Sequence, residues 1–203
     1  MFNSLLRNRG YLDFPVKLLH KQSTGLLAEG PAQSQNANYW IGTGVAVKAF
    51  DMTPPSAEQR RQITASLNDD ERHVLLQHGT EAAFCGVFLD NKKDGVYTCR
   101  FCGLPLFRSN AKFDSGTGWP SFFKPYEESH IKRLRDVSYG MVRVEEVCAR
   151  CGSHLGHVFP DGPRPTGERH CLNSVSLAFT EKGQALPDVL GRGAPEGATD
   201  AGE

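Results

Sequence analysis

The six cysteines of this 203-residue chain divide into two kinds. Cys99 and Cys102 form one Cys-x-x-Cys pair, Cys148 and Cys151 form another, and each pair is followed at once by a glycine, Gly103 or Gly152. Each half reads as a strand end, two spacer residues, a second thiol, and a glycine that lets the backbone turn around a metal. Two matched halves supply four soft ligands, each clamping one edge of a tetrahedron, and this suits zinc. Four protein thiolates leave no coordination position open, so such a zinc is structural and activates no water. One pair could instead be a thioredoxin-like redox motif, although a redox pair needs no twin. Cys85 and Cys171 stand outside this set and are left for redox chemistry.

Around Cys171 the sequence runs Glu168-Arg169-His170-Cys171-Leu172-Asn173-Ser174-Val175. A strand period of two puts Arg169, Cys171 and Asn173 on one side, with Val175, Leu177 and Phe179 continuing that side into apolar core. A guanidinium two residues from a thiol favours the thiolate, so a lowered pKa is expected if the side chains project together. A buried, inert cysteine in a core strand is the plainer alternative. Just upstream, His154, His157 and Asp161 share one short glycine-bearing segment, where they can donate protons or orient a nucleophile. A second metal site on these histidines is the weaker reading, because no further carboxylate or cysteine completes a ligand set. The Gly- and Pro-rich loop 112–123 carries Trp119 and three phenylalanines, which either lid a core or line an apolar pocket.

The elements that must position these groups are legible in outline. Ser56 caps a helix over 58–67, and Asn68, with Glu71 three residues on, caps a second helix that Gly79 ends. Short β runs follow at 96–99, 104–107, 142–149, 157–159 and 172–180, separated by Gly, Pro and Asp. The first 51 residues show no sustained period and read as a poorly structured extension, a transit segment, or the result of a start codon set upstream of Met52. Residues 181–203 mix Gly, Ala, Pro and acids and read as a disordered tail, leaving 52–180 as the one folded domain.

Lysines plus arginines balance aspartates plus glutamates at 23 each, so no overall field draws the chain to nucleic acid or anionic membrane. The local run Lys132, Arg133 and Arg135 reads as a solvated face. No stretch approaches the roughly 20 apolar residues of a membrane span. Paired rather than scaffold-like cysteines point to a reducing compartment, and the cytoplasm is the expected location.

Taken together, Gly79-Thr80-Glu81, the run 112–122 with its Gly-Trp-Pro-Ser-Phe, the run 154–163 and Arg169-His170-Cys171-Leu172-Asn173-Ser174 resemble the methionine-R-sulfoxide reductase B family over about 67–180. The resemblance implies a mainly β fold, a β-tent of two small antiparallel sheets with short N-terminal helices and a structural zinc on the four paired cysteines. It also implies that Cys171 is the nucleophile, that Trp119 holds the methyl group of a methionine-R-sulfoxide, and that His154, His157, Asp161, Arg169 and Asn173 surround the reacting atoms. Many members carry a resolving cysteine where this chain has Thr117; Cys85 resembles the alternative position, so the resemblance implies a Cys171–Cys85 disulfide reduced by thioredoxin. The expected partners are oxidised proteins and thioredoxin, acting on a monomer. The rival from another class is a non-catalytic zinc-binding β-tent module, which has no use for an activated thiol.

Overall fold

The computed structural model describes residues 50–193. Two short helices lead in. Helix α1, Ala57–Ser66, starts at a capping box in which Ser56 and Gln59 exchange side-chain and backbone hydrogen bonds. It buries none of its own side chains and is held from its edge instead: Arg60 donates to the Cys151 carbonyl at 2.8 Å and lies over the Phe101 ring. Helix α2, Asp69–Gln77, has the reciprocal Asn68–Glu71 box and buries Val74 and Leu75. Its left-handed C-terminal residue is His78, at φ 57°, one residue before the expected Gly79. Gly79 is needed for another reason, since a Cβ there would stand 2.4 Å from the His73 ring.

Among the described residues, nine strands form two antiparallel sheets. They are β1 Gly95–Cys99, β2 Pro105–Arg108, β3 Lys112–Phe113, β4 Ser121–Phe122, β5 Ile131–Asp136, β6 Arg143–Cys148, β7 His154–Phe159, β8 Arg169–Leu172 and β9 Leu177–Glu181. The small sheet has the order β2-β1-β9 and the large one β3-β4-β8-β7-β6-β5. Tyr97 and Phe107 from the small sheet meet Phe122 from the large one, with ring centroids 5.0 and 4.6 Å apart, and Leu155 and Leu172 are fully buried in the same core. The mainly β fold of two small antiparallel sheets with short leading helices is therefore as expected.

Two expectations need correction. The run 172–180 is not one strand: β8 stops at Leu172, a 3-10 turn occupies Ser174–Ser176, and β9 continues in the other sheet. The physical reason lies elsewhere in the chain. Glu81 accepts hydrogen bonds from the Ser174 and Val175 amides at 2.6 and 3.1 Å, and the Asn173 amide side chain bonds the Leu155 carbonyl, so the backbone is pulled out of the ladder. Leu177 and Phe179 thus pack within the small sheet, Phe179 against Tyr97, and do not continue the face of Cys171. The second difference concerns the expected tail. Leu186 and Leu190 are buried, Gln59 donates to the Leu190 carbonyl, and Arg192 bonds the Pro54 carbonyl and Asp51. Two leucines four apart suffice to seat a segment on an existing apolar surface, and surrounding Gly, Pro and acids hide them from a compositional reading. The expectations for residues 1–49 and 194–203 lie outside the described residues.

Candidate active site

The four paired cysteines converge at the junction of the two sheets. Cys99 closes β1 of the small sheet and Cys148 closes β6 of the large one. The knuckles match: Gly103 N bonds Cys99 O and Gly152 N bonds Cys148 O, both at 2.8 Å, with the glycines at φ 74° and 77°. All four thiols are buried, unbridged and mutually within 4.8 Å. Cys99 Sγ lies 3.6 Å from Cys151 Sγ, and Cys102 Sγ 3.6 Å from Cys148 Sγ. That is far beyond a disulfide bond of about 2.05 Å. It matches the edge of about 3.8 Å expected for thiolates about 2.3 Å from a central tetrahedral ion. Hydrogen bonding to the neighbouring sulfurs, with burial, pushes the Cys99 and Cys148 thiols up, while the same kind of contact pulls Cys151 down; thiolates this close repel one another, and a cation between them would relieve that repulsion. The donor set and spacing fit a metal ion.

Cys171 occupies a separate face. Strand pairing sets Ser121 directly opposite Cys171, Cys171 opposite His157, His157 opposite Glu145, and Glu145 opposite Leu134. Directly paired residues share a side of the sheet, so the thiol and His157 are neighbours on one surface. Arg169, two residues along, is almost wholly buried; it forms a bidentate pair with Asp161 at 2.9 and 2.9 Å and lies over the Phe159 ring. The expected projection of Arg169 toward the thiol is present, and its charge and hydrogen bond pull the Cys171 pKa down. Burial is the larger effect and leaves the thiol above its ordinary value, not below it as the local sequence suggests. Arg169→Met is expected to raise the Cys171 pKa further; the midpoint of the iodoacetamide alkylation rate against pH should move up, and an unchanged or lower midpoint would contradict this assignment.

His154 and His157 are three apart, and in a regular strand they would face opposite sides. A register shift between Glu146 and Val147 removes that difference: His157 pairs with Glu145, while His154, on the far side of the bulge, pairs with Val147. Glu145 and Val147 are two apart on one side, so both histidines join the Cys171 face, with ring centroids 5.6 Å apart. Each has its own carboxylate. His157 Nε2 lies 2.8 Å from Asp136 Oδ2, and His154 Nδ1 lies 2.6 Å from Glu145 Oε1. Arg143 and the Ser138 amide hold Asp136 in turn. Burial holds the His154 pKa below the usual histidine value despite Glu145. Burial works to raise the Glu145 pKa, but hydrogen bonds from His78 and His154 more than offset it and keep the carboxylate charged.

Glu81 ties the remaining parts together. Besides pinning the turn after Cys171, its amide donates to Asn173 Oδ1 at 3.0 Å and its carbonyl accepts from Trp119 Nε1 at 3.2 Å. Trp119, with Phe84 and Phe113, lines a cavity of about 380 Å³ whose wall does not include Cys171. Thr117 Oγ1 is 4.0 Å from Cys171 Sγ, in a hydroxyl chain that continues through Ser115 to Ser121. Cys85 is exposed on the preceding loop, which is tied to this one by a 2.8 Å hydrogen bond from Phe84 N to the Gly118 carbonyl. Gly86 must be glycine, since a Cβ there would stand 2.2 Å from Ser174 Oγ. The roles of Asp136, Glu145 and Thr117 carry no local sequence signal; that of Glu81 is marked only by its place in Gly79-Thr80-Glu81.

A half-buried thiol faced by an arginine and a histidine, on a scaffold joined at a cluster of four cysteines that could hold a metal ion, defines a thiol-based oxidoreductase rather than a passive binding module. Residues 67–181, more than half of the chain, match the SelR domain. The peptide methionine sulfoxide reductase MsrB of Xylella fastidiosa (strain 9a5c) is 66% identical over 145 residues, covering 71% of this chain and 94% of that protein. That of Caulobacter vibrioides (strain NA1000 / CB15N) is 58% identical over 149 residues, covering 73% and 94%. That of Escherichia coli (strain K12 / DH10B) is 53% identical over 127 residues, covering 63% and 90%. The chain belongs to the MsrB family of peptide methionine sulfoxide reductases.

Proposed function

We propose that the protein reduces the R epimer of methionine sulfoxide within polypeptides, with Cys171 as nucleophile, Cys85 as resolving thiol and a thioredoxin-type dithiol as final reductant. The observation that supports this most directly is the pairing of Cys171 with His157 across β8 and β7, with Arg169 beside the thiol. Trp119 holds the sulfoxide methyl group, while Asp161 fixes Arg169 and Asn173 fixes the turn behind the thiol.

The Cys171 sulfur, giving up its proton, attacks the sulfoxide sulfur. His157, steadied by Asp136 at Nε2 and assisted by His154, delivers a proton to the sulfoxide oxygen. That attack forms an S–S bond to the substrate, and the doubly protonated oxygen leaves as water; a water molecule then attacks the Cys171 sulfur, the S–S bond breaks with its electron pair going to the methionine sulfur, and Cys171 is left as a sulfenic acid after loss of a proton. Cys85 then attacks that sulfur, releasing water and forming the Cys171–Cys85 disulfide, which an external dithiol reduces by exchange. Because the thiol is mostly protonated in the free protein, the step that raises its thiolate content is substrate entry, which brings the acceptor within reach of the proton network. A zinc ion held by Cys99, Cys102, Cys148 and Cys151 would supply a cross-link between the sheets and would take no part in the chemistry. A reducing compartment such as the cytoplasm suits these free thiols, and the protein acts there as a monomer.

The test is a single turnover. Reduced protein without external reductant should convert one equivalent of a peptide R-sulfoxide, leave the S epimer untouched, and gain a Cys171–Cys85 disulfide detectable by mass. Equal use of both epimers, or product without oxidation of Cys171, would overturn the reading.

A further inference from the structure

Among the described residues a second group of metal-ligating atoms gathers beside the catalytic histidine pair, formed by His78, Glu145 and His154. His78 Nδ1 and His154 Nδ1 both point at one oxygen, Glu145 Oε1, from 2.5 and 2.6 Å, and the three ligand atoms lie within 4.8 Å of one another. They arrive from three elements: the left-handed residue that ends α2, the strand β6, and the start of β7. The His154 side chain is 2% exposed and its Nε2 is buried without a partner, so Nδ1 is the atom through which this ring meets a charge. The His78 side chain, in contrast, is 55% exposed, which leaves one side open to water.

We infer that His78, Glu145 and His154 form a binding site for a divalent transition-metal ion of the zinc type, and that occupancy of this site reversibly inhibits the enzyme. Two imidazoles and a carboxylate suit zinc and its first-row neighbours rather than magnesium or calcium. Ligands about 2.0–2.1 Å from such an ion stand about 3.3 Å apart, so each nitrogen must retreat from the carboxylate by less than about 1 Å. The exposed His78 ring can do this, and water completes the coordination. Unlike the closed four-thiol cluster, this site keeps open positions, so its ion exchanges with solution. Inhibition rests on the proton-supply reading given above: the ion takes the His154 ring and places two positive charges beside His157, whose ring centroid is 5.6 Å from that of His154. The ion thereby withdraws His154 and Glu145 from the side chains gathered around His157 on the Cys171 face.

The experiment uses the full chain with its four-cysteine cluster loaded. Co2+ is titrated into a Cys85→Ser, Cys171→Ser variant, so that no redox thiol competes. One further equivalent should bind and give visible ligand-field bands without sulfur-to-metal charge transfer. His78→Asn, which tolerates the left-handed backbone, should weaken that binding by about tenfold or more. With the redox cysteines restored, added Zn2+ should suppress sulfoxide reduction and a chelator should restore it; His78→Asn should keep most of the metal-free activity and lose most of the sensitivity. No further equivalent, or Co2+ binding indifferent to His78, would overturn the site. Inhibition unchanged in His78→Asn would assign it to the thiols and overturn the regulatory claim. Binding that depends on His78 with no loss of activity would uphold the site and instead overturn the proton-supply role of His154.

Discussion

Cys85→Ser is expected to leave the first turnover intact and to stop thioredoxin-supported cycling. On the proposed mechanism Cys171 and His157 remain in place, so one methionine should still be released per chain, but a sulfenic acid on Cys171 would have no thiol to condense with. Cys171→Ser should lose both phases, since a hydroxyl is far less nucleophilic than a thiol and cannot take up the oxygen. The geometry supplies a sharper form of the test. Thr117 Oγ1 already lies 4.0 Å from Cys171 Sγ, so a sulfur at that position would be in contact with the nucleophile. Thr117→Cys added to Cys85→Ser is therefore expected to restore cycling, through a disulfide between Cys171 and the introduced thiol. Full cycling in Cys85→Ser alone, measured as methionine released per chain with thioredoxin and its reductase, would remove Cys85 from the mechanism.

Removing a metal ion from the four-cysteine cluster should unfold the domain rather than merely slow it. The cluster joins β1 of one sheet to β6 of the other and seats α1, through Arg60, on the Cys151 knuckle. A structural zinc site contributes about 10–16 kcal/mol in small zinc-binding peptides. That is comparable to the whole net stability of about 5–15 kcal/mol of an ordinary domain. Cys148→Ser, or chelation under mild denaturant, should abolish the cooperative thermal transition followed by near-ultraviolet circular dichroism, and elemental analysis should report the metal lost. A metal-free sample that melts at the native temperature would show that the cluster is not the fastener.

Much of this is legible in local spacing. The two Cys-x-x-Cys-Gly runs have the same chemistry at both ends, and because each knuckle is a local turn, its identity survives without knowledge of the fold. Both capping boxes are readable for the same reason, since a cap involves residues three apart. The break in the strand over 172–180 is not legible, because it depends on Glu81, more than 90 residues earlier in the chain, whose carboxylate takes the Ser174 and Val175 amides. The direction of the Cys171 pKa shift is hidden as well, because sequence reveals the neighbouring arginine but not the burial that outweighs it.

From the linear order of residues come the family, the four paired cysteines, the two spare thiols and the residues gathered near one of them. All of these are set by chemistry over a few adjacent positions. Only the folded chain decided which carboxylate serves which histidine and that His154 and His157 share a side of the sheet. The cause is one register shift between β6 and β7, which turns two residues three apart onto the same face. A bulge is a property of how two strands pair, and neither strand carries it alone.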